Sequence, residues 1–182
     1  TFSDFNYGNV DWRNILQHKH WLILSSTTVL EGNSPSSAWG ASMIFGELEG
    51  TKTVMIVDMP KDNDKITEMW GQIVTRIRQI HILFFTKEAL NIISALENIS
   101  TSSLLSDIRI KGLVPIVCSY DEISNIAKIA HSSGELSIQL ECQLTYYSWL
   151  ANFIFGLSST NSNKSEIRHA ASYADNSKIA FN

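Results

Sequence analysis

Four carboxylates around one predicted strand end and helix start are the residues best suited to chemistry in this sequence. They are Asp58, Asp62, Asp64 and Glu68. Carboxylate oxygens are the ligands that hard cations prefer, so this group could hold a metal ion. A structural interpretation competes: Asp62 and Asp64 cap the following helix, and Asp58 ends a strand at the surface. The spacing favours this structural interpretation.

Three other groups of polar residues are weaker candidates. His18 and His20 have no neighbouring Cys, Asp or Glu pattern that would complete a metal site. The small polar loop 32–37 could hold a phosphate, but it lacks a Gly-Lys-Ser/Thr signature and precedes a predicted strand. Cys118 and Cys142 fall in predicted strands and are interpreted as core residues in a reducing compartment. We therefore predict no catalytic residue, no cofactor and no metal ion.

Composition narrows the class of protein. The chain has 182 residues, a formal charge of −4 and 18% charged residues. Without an excess of positive charge it does not resemble a nucleic-acid binder, and its low charge favours a protein partner. We expect a single α/β domain over residues 1–157 and a flexible Ser/Asn-rich tail over residues 158–182, with a brief helix at 166–174.

The predicted architecture centres on residues 38–86. Segments 38–48 and 52–59 are apolar and are joined at Gly50, which predicts a β-hairpin. The next segment predicts the clearest helix of the chain. Its large apolar residues recur with helical spacing and are Ile66, Met69, Trp70, Ile73, Val74 and Ile77. Residues 81–85 predict a buried strand.

The remaining elements complete a predicted α/β fold. The strands are expected at 21–30, 108–118 and 136–142, and the helices at 12–18, 87–98, 145–157 and from the capping box 119–122 to Gly134. The fold is a mixed sheet with helices on both faces. From the first strand its order is β-β-β-α-β-α-β-α, followed by an extra strand and helix.

Over residues 21–132 this order resembles the ribonuclease-H-like core and half of the actin-like ATPase fold. The resemblance implies metal-binding acids in the first strand, first helix and fourth strand, or an Asp-Gly phosphate turn after the first strand. Segments 21–26 and 81–85 contain no acid, loop 32–37 contains no Asp, and only Glu68 falls in a matching element. The residues of both chemistries are therefore missing.

A sheet of this order without catalytic acids resembles the cytoplasmic actin-like domains of pilus-assembly and type II secretion inner-membrane platform proteins. The resemblance implies a non-catalytic assembly domain that contacts other protein subunits. Its location would be the cytoplasm or the inner face of a membrane, reached through a tethered or partner segment. These expectations argue against an enzyme. The alternative left open is a Mg-dependent, ribonuclease-H-like phosphoryl-transfer enzyme that uses Asp58, Asp62, Asp64 and Glu68.

The helix at 145–157 is the predicted contact surface. Its aromatic residues are spread around the cylinder, whereas a helix on a core needs only about half its circumference to be apolar. Some of these side chains should therefore be exposed in a monomer. The predicted interaction residues are Tyr147, Trp149, Phe153 and Phe155.

Overall fold

Six strands form one mixed sheet in a computed structural model that describes residues 6–158 and 164–175. The strands are β1 (Trp21–Ser25), β2 (Lys52–Val57), β3 (Ile82–Phe85), β4 (Ile116–Asp121), β5 (Ile126–His131) and β6 (Gly134–Gln139). They lie side by side in chain order. β1 to β4 are parallel, and β5 and β6 continue the sheet as antiparallel strands.

Helices cover both faces of this sheet. They are α1 (Trp12–Leu16), α2 (Asn33–Leu48), α3 (Ile66–Thr75), α4 (Lys87–Leu96), α5 (Leu104–Gly112), α6 (Tyr146–Ser158) and α7 (Lys164–Ala171). α2 to α5 occupy the crossovers between the parallel strands and share one apolar core with one side of the sheet. α6 and α7 share a second core with the other side. The prediction of a mixed α/β sheet with helices on both faces is confirmed.

The predicted hairpin in the first half of the chain is wrong. Residues 38–48 belong to α2, and the strands on either side of that helix, β1 and β2, pair in parallel. Trp39, Met43 and Gly46 recur at helical spacing and are buried in α2. Gly50 has the expected positive φ of 75°, but it follows the end of a helix instead of turning a hairpin.

The predicted helix after the capping box is also wrong. Asp121 instead accepts hydrogen bonds from the Ile123 amide and the Ser124 hydroxyl, and Asn125 has a φ of 56°. These features turn the chain back on itself, so residues 126–131 form strand β5. The first half of the predicted strand 108–118 is likewise helical, as the end of α5.

The end of the described chain is packed against α6. α7 lies within the predicted flexible tail, yet Ile167 and Ala170 are buried. A β-carbon built on Gly156 of α6 would lie 2.8 Å from the Cα of Ala170, so the two helices touch backbone to backbone. Residues 159–163 and 176–182 of the predicted tail lie outside the described residues, and the division into domain and tail stays a prediction.

No helix among the described residues combines the length and the apolar character needed to cross a bilayer.

Candidate functional site

Polar side chains gather where the parallel strands end. Asp58 follows β2, Thr86 follows β3 and Asp121 ends β4. Because these strands run in the same direction, the three residues lie along one edge of the sheet. In open α/β sheets this carboxyl edge is where ligands bind.

Asp58 is at the centre of this edge, and both of its carboxylate oxygens accept hydrogen bonds. Oδ1 accepts from the Met59 amide at 2.8 Å and from the Thr86 hydroxyl at 3.2 Å. Oδ2 accepts from the Tyr146 hydroxyl at 3.2 Å. The carboxylate is therefore oriented by groups from two strand ends and from the first residue of α6.

Tyr146 is itself fixed from several sides. Its ring stacks on Phe84 with a centroid distance of 6.0 Å and lies 4.2 Å from the ring of Tyr147. Its amide donates to Oε1 of Glu122 at 2.5 Å. Burial, the hydrogen bond with Tyr147 and the nearby Asp58 charge all raise the pKa of Tyr146, so the phenol stays protonated and donates to Asp58.

A cleft of about 280 Å³ opens on the β3 and β4 side of Asp58, and we call it the acidic cleft. It is lined by Asp58, Thr86, Lys87, Glu88, Tyr120, Asp121, Glu122, Ile123 and Tyr146. Carboxylates outnumber the single lysine in this set. Lys87 is moreover paired with Asp121 at 2.7 Å.

A second cleft of about 370 Å³ lies on the β1 and β2 side, and we call it the lysine cleft. Its lining is formed by Ser25, Thr27, Leu30, Glu31, Asp58, Met59, Pro60, Lys61, Asp62, Lys65 and Tyr147. Asp58 lines both clefts. Tyr146 lines the acidic cleft and the neighbouring Tyr147 lines the lysine cleft, so this pair of rings marks the boundary between the two clefts.

The acidic group predicted from the sequence does not form one metal site. Asp58 lines both clefts and the exposed Asp62 lines the lysine cleft, whereas Asp64 and Glu68 are exposed and line neither cleft. Asp62 accepts from the Asp64 amide at 3.2 Å and so caps the short 3-10 turn Asn63–Lys65, whereas α3 itself begins without a side-chain cap. No group of three or more His, Cys, Asp or Glu side chains able to hold a metal occurs in the part of the chain that the structure describes.

Two of the four predicted interaction residues lie inside the protein. Trp149 and Phe153 are 1% and 0% exposed, because they stack between the sheet and α7. Tyr147 and Phe155 are 54% and 63% exposed. α6 has two buried apolar sides because the sheet covers one of them and α7 covers another. An interaction role for these residues stays a prediction.

The other candidates lie outside the two clefts. Cys118 and Cys142 are buried thiols, as predicted, and burial raises the pKa of Cys118. Loop 32–37, considered for phosphate, was predicted to precede a strand; it instead forms the first turn of α2. Asp121, Glu122 and Tyr146 were missed as site residues. The position of Asp121 at the end of an apolar strand could have identified it as a site residue, but residues 119–122 were interpreted as a capping box.

No family model and no curated protein sequence matches this chain. Solved structures do match. A PfkB protein from Polaromonas sp. has a TM-score of 0.73 at 10% identity, with 93% of this chain and 56% of that chain covered. A fructokinase from Vibrio cholerae, with fructose, ADP and calcium bound, has a TM-score of 0.69 at 13% identity and coverages of 87% and 53%.

A third match is an aminoimidazole riboside kinase from Salmonella enterica, complexed with aminoimidazole riboside and an ATP analogue. Its TM-score is 0.67 at 15% identity, with 87% of this chain and 54% of that chain covered. At these identities the likeness shows the fold alone. The chain spans just over half the length of each of these kinases.

These matches correct the family predicted from the order of elements. The ribonuclease-H-like and actin-like resemblance is wrong, because four parallel strands run from the first edge of the sheet where that resemblance requires a hairpin. The predictions based on this resemblance are therefore also wrong. They are the assembly domain of a pilus or secretion apparatus, protein subunits as partners, the argument against an enzyme, and the ribonuclease-H-like alternative. Over the part of these three structures that it covers, the chain has their fold.

Proposed function

We propose that this chain is, or is part of, a kinase that transfers a phosphoryl group from a nucleoside triphosphate to a hydroxyl group of a small carbohydrate-like molecule. The observation that carries the proposal is the pair of clefts that meet at Asp58 on the carboxyl edge of the sheet. The bound sugars and nucleotides named for the matching kinases support the choice of substrates.

Phosphoryl transfer needs two substrates held end to end, with a proton acceptor beside the attacking hydroxyl. Here one cleft lies on each side of Asp58, so a nucleotide and an acceptor would meet at this carboxylate. The Met59 amide and the Thr86 hydroxyl fix Oδ1, which leaves Oδ2 facing the Tyr146 hydroxyl. An acceptor hydroxyl that replaced this phenol could transfer its proton to Asp58.

Kinases of this kind use a divalent cation that is bound to the nucleotide. The described residues could hold such a cation together with the nucleotide phosphates, but not by themselves. They provide no group of three or more candidate metal ligands. The acidic cleft does contain carboxylates, and Mg²⁺ in such sites commonly takes one or two carboxylates and completes its coordination with phosphate oxygens and water. The residue roles assigned above do not depend on the cation.

The test is a direct transfer assay with the purified chain. Mg-ATP is offered with fructose or aminoimidazole riboside, which are bound in two of the matching structures, and ADP and the phosphorylated product are measured by mass spectrometry. We expect ADP formation that depends on at least one acceptor. Controls are the reaction without acceptor and the heat-denatured protein. The proposal is overturned if no acceptor is phosphorylated and neither ADP nor ATP binds at millimolar concentration.

A further inference from the structure

The turn formed by residues 121–125 closes one side of the acidic cleft. Asp121 holds the turn together, accepting from the Ile123 amide at 3.0 Å and the Ser124 hydroxyl at 2.8 Å. Asn125 anchors its far end, donating to the Leu140 carbonyl at 2.6 Å. At the tip, Ile123 is 87% exposed. The tip therefore has little apolar contact to lose if it moves.

Both acidic side chains of this turn engage groups that attract anions. Asp121 accepts from the Lys87 ammonium at 2.7 Å, and Lys87 is the one cation among the described residues that line the acidic cleft. Glu122 accepts from the Tyr146 amide at 2.5 Å, in the first turn of α6. The first amides of a helix carry partial positive charge and bind carboxylates or phosphates. One turn therefore supplies an internal anion to each of these two groups.

A phosphate entering this cleft would need the same two groups. It would also approach two carboxylates at short range, and the repulsion between like charges weakens binding further. We propose that the turn 121–125 is a latch whose carboxylates occupy Lys87 and the Tyr146 amide, and that it must release both before a nucleotide phosphate binds there. This inference depends on the proposed function, because it concerns how the nucleotide enters the same site.

The experiment measures ADP binding by isothermal calorimetry, without divalent cations, in the wild-type chain and in Glu122→Ala, Asp121→Asn and the double variant. Each single variant removes one internal anion, and we expect it to bind ADP about tenfold more tightly, a change of about 1.4 kcal/mol. Glu122→Gln keeps the size of the side chain and should give a smaller gain in the same direction. Thermal melting verifies that each variant is folded.

Glu88→Gln is the matched control. It removes one negative charge from the lining of the same cleft, but Glu88 does not belong to the turn. We expect it to raise ADP affinity by less than about threefold, the effect of long-range charge alone. If Glu88→Gln raised ADP affinity as much as Glu122→Ala does, the latch would be overturned, because the loss of any negative charge in the cleft would then explain both results.

The remaining outcomes separate the latch from the proposed function. ADP binding of equal strength in the wild type, Glu122→Ala and the double variant overturns the latch, while nucleotide binding itself stands. Absence of ADP binding in every folded variant, repeated with Mg²⁺ at millimolar ADP, overturns the latch and the proposed function together.

Discussion

The two ends of the parallel strands use polar residues in different ways. At the amino ends the partners of polar groups are mainly backbone atoms. The hydroxyl of Thr51, which is 1% exposed, donates to the Leu16 carbonyl at 3.0 Å and the Lys19 carbonyl at 3.1 Å. Nearby, the Thr53 amide donates to Nδ1 of His81 at 3.2 Å. These buried hydrogen bonds fix the segments that lead into the strands at this end of the sheet.

At the carboxyl ends, side chains instead contact side chains from distant elements. Asp58 contacts Thr86 and Tyr146, and Asp121 contacts Lys87. These contacts border two clefts, so a ligand could replace one partner without unfolding the chain. Substitutions at the amino ends should therefore act mainly on stability, and substitutions at the carboxyl ends mainly on binding or catalysis.

The largest expected effect is at Asp58. Asp58→Asn keeps oxygen and size but cannot accept the substrate proton, so we expect acceptor-dependent ATP turnover to fall at least about 100-fold. The melting temperature should change little, because the Asn oxygen can still accept from the Met59 amide. Steady-state kinetics measures the loss. Asp107→Asn, on the surface of α5, is the control, and equal activity of both variants would contradict a catalytic role for Asp58.

At the opposite end of the sheet, Thr51→Val should lower the free energy of unfolding by about 2 kcal/mol, because two carbonyls lose a buried hydrogen-bond donor. ADP affinity of the folded protein should be unchanged. Urea unfolding measures the first quantity and calorimetry the second. Thr75→Val provides the comparison: its hydroxyl bonds the Gln72 carbonyl at an exposed position, and its loss should cost far less.

The Asp121 carboxylate gives a pH-dependent prediction at the carboxyl end. Burial opposes its ionisation, but hydrogen bonds from Lys87, Ser124 and Ile123 outweigh burial and lower its pKa from 3.8 to about 2. Because the folded pKa is the lower one, this contribution to stability is present above pH 3.8 and is lost as the pH falls towards about 2. It amounts to roughly 1 kcal/mol once solvent screening is allowed for.

Acid unfolding followed by circular dichroism measures this loss. Asp121→Asn cannot ionise, so stability should depend less steeply on pH in the variant than in the wild type over the same interval. Parallel curves for the two proteins would show that ionisation of the Asp121 carboxylate adds nothing to stability.

The smallest effect is expected at His81, at the amino end of β3. Burial and the charge of Lys52 lower its pKa below 6.5, and Glu47 offsets part of this shift. As the pH falls, His81 therefore binds a proton in the unfolded chain before it does so in the folded chain. The folded state keeps its full stability above pH 6.5 and loses stability as the pH falls below that value. In His81→Asn the difference in unfolding free energy between pH 7.5 and pH 5.5 should shrink. An unchanged difference would exclude His81 as its source.

Regular apolar spacing explains which elements could be predicted from the sequence. In α3 large residues repeat on one face, and Ile66, Met69 and Ile73 are buried as that pattern indicates. In α2 the buried face includes Gly40 and Gly46, which show no apolar signal. Gly40 is small because the Arg76 guanidinium lies over it, with an atom 2.7 Å from where a β-carbon would be. A tertiary contact of this kind leaves no local pattern.

The site was harder to predict because it is assembled from distant parts of the chain. Asp58 was identified from its position at a strand end, but its partner Tyr146 is 88 residues away. Asp121 and Glu122 precede residues whose spacing, at Ile126, Ala127 and Ala130, indicates a helix. The structure places these residues in β5, which brings the turn 121–125 to the cleft.

The contact at Gly156 links the carboxyl edge mechanically to the last described helix. α6 begins at Tyr146, between the two clefts, and meets α7 at Gly156 without space for even a methyl group. Two helices in backbone contact cannot tilt independently, because closely packed interiors transmit displacement instead of absorbing it. A ligand that reorients the start of α6 should therefore also displace α7, whose exposed residue Arg168 lines neither cleft and offers a position for a spectroscopic label.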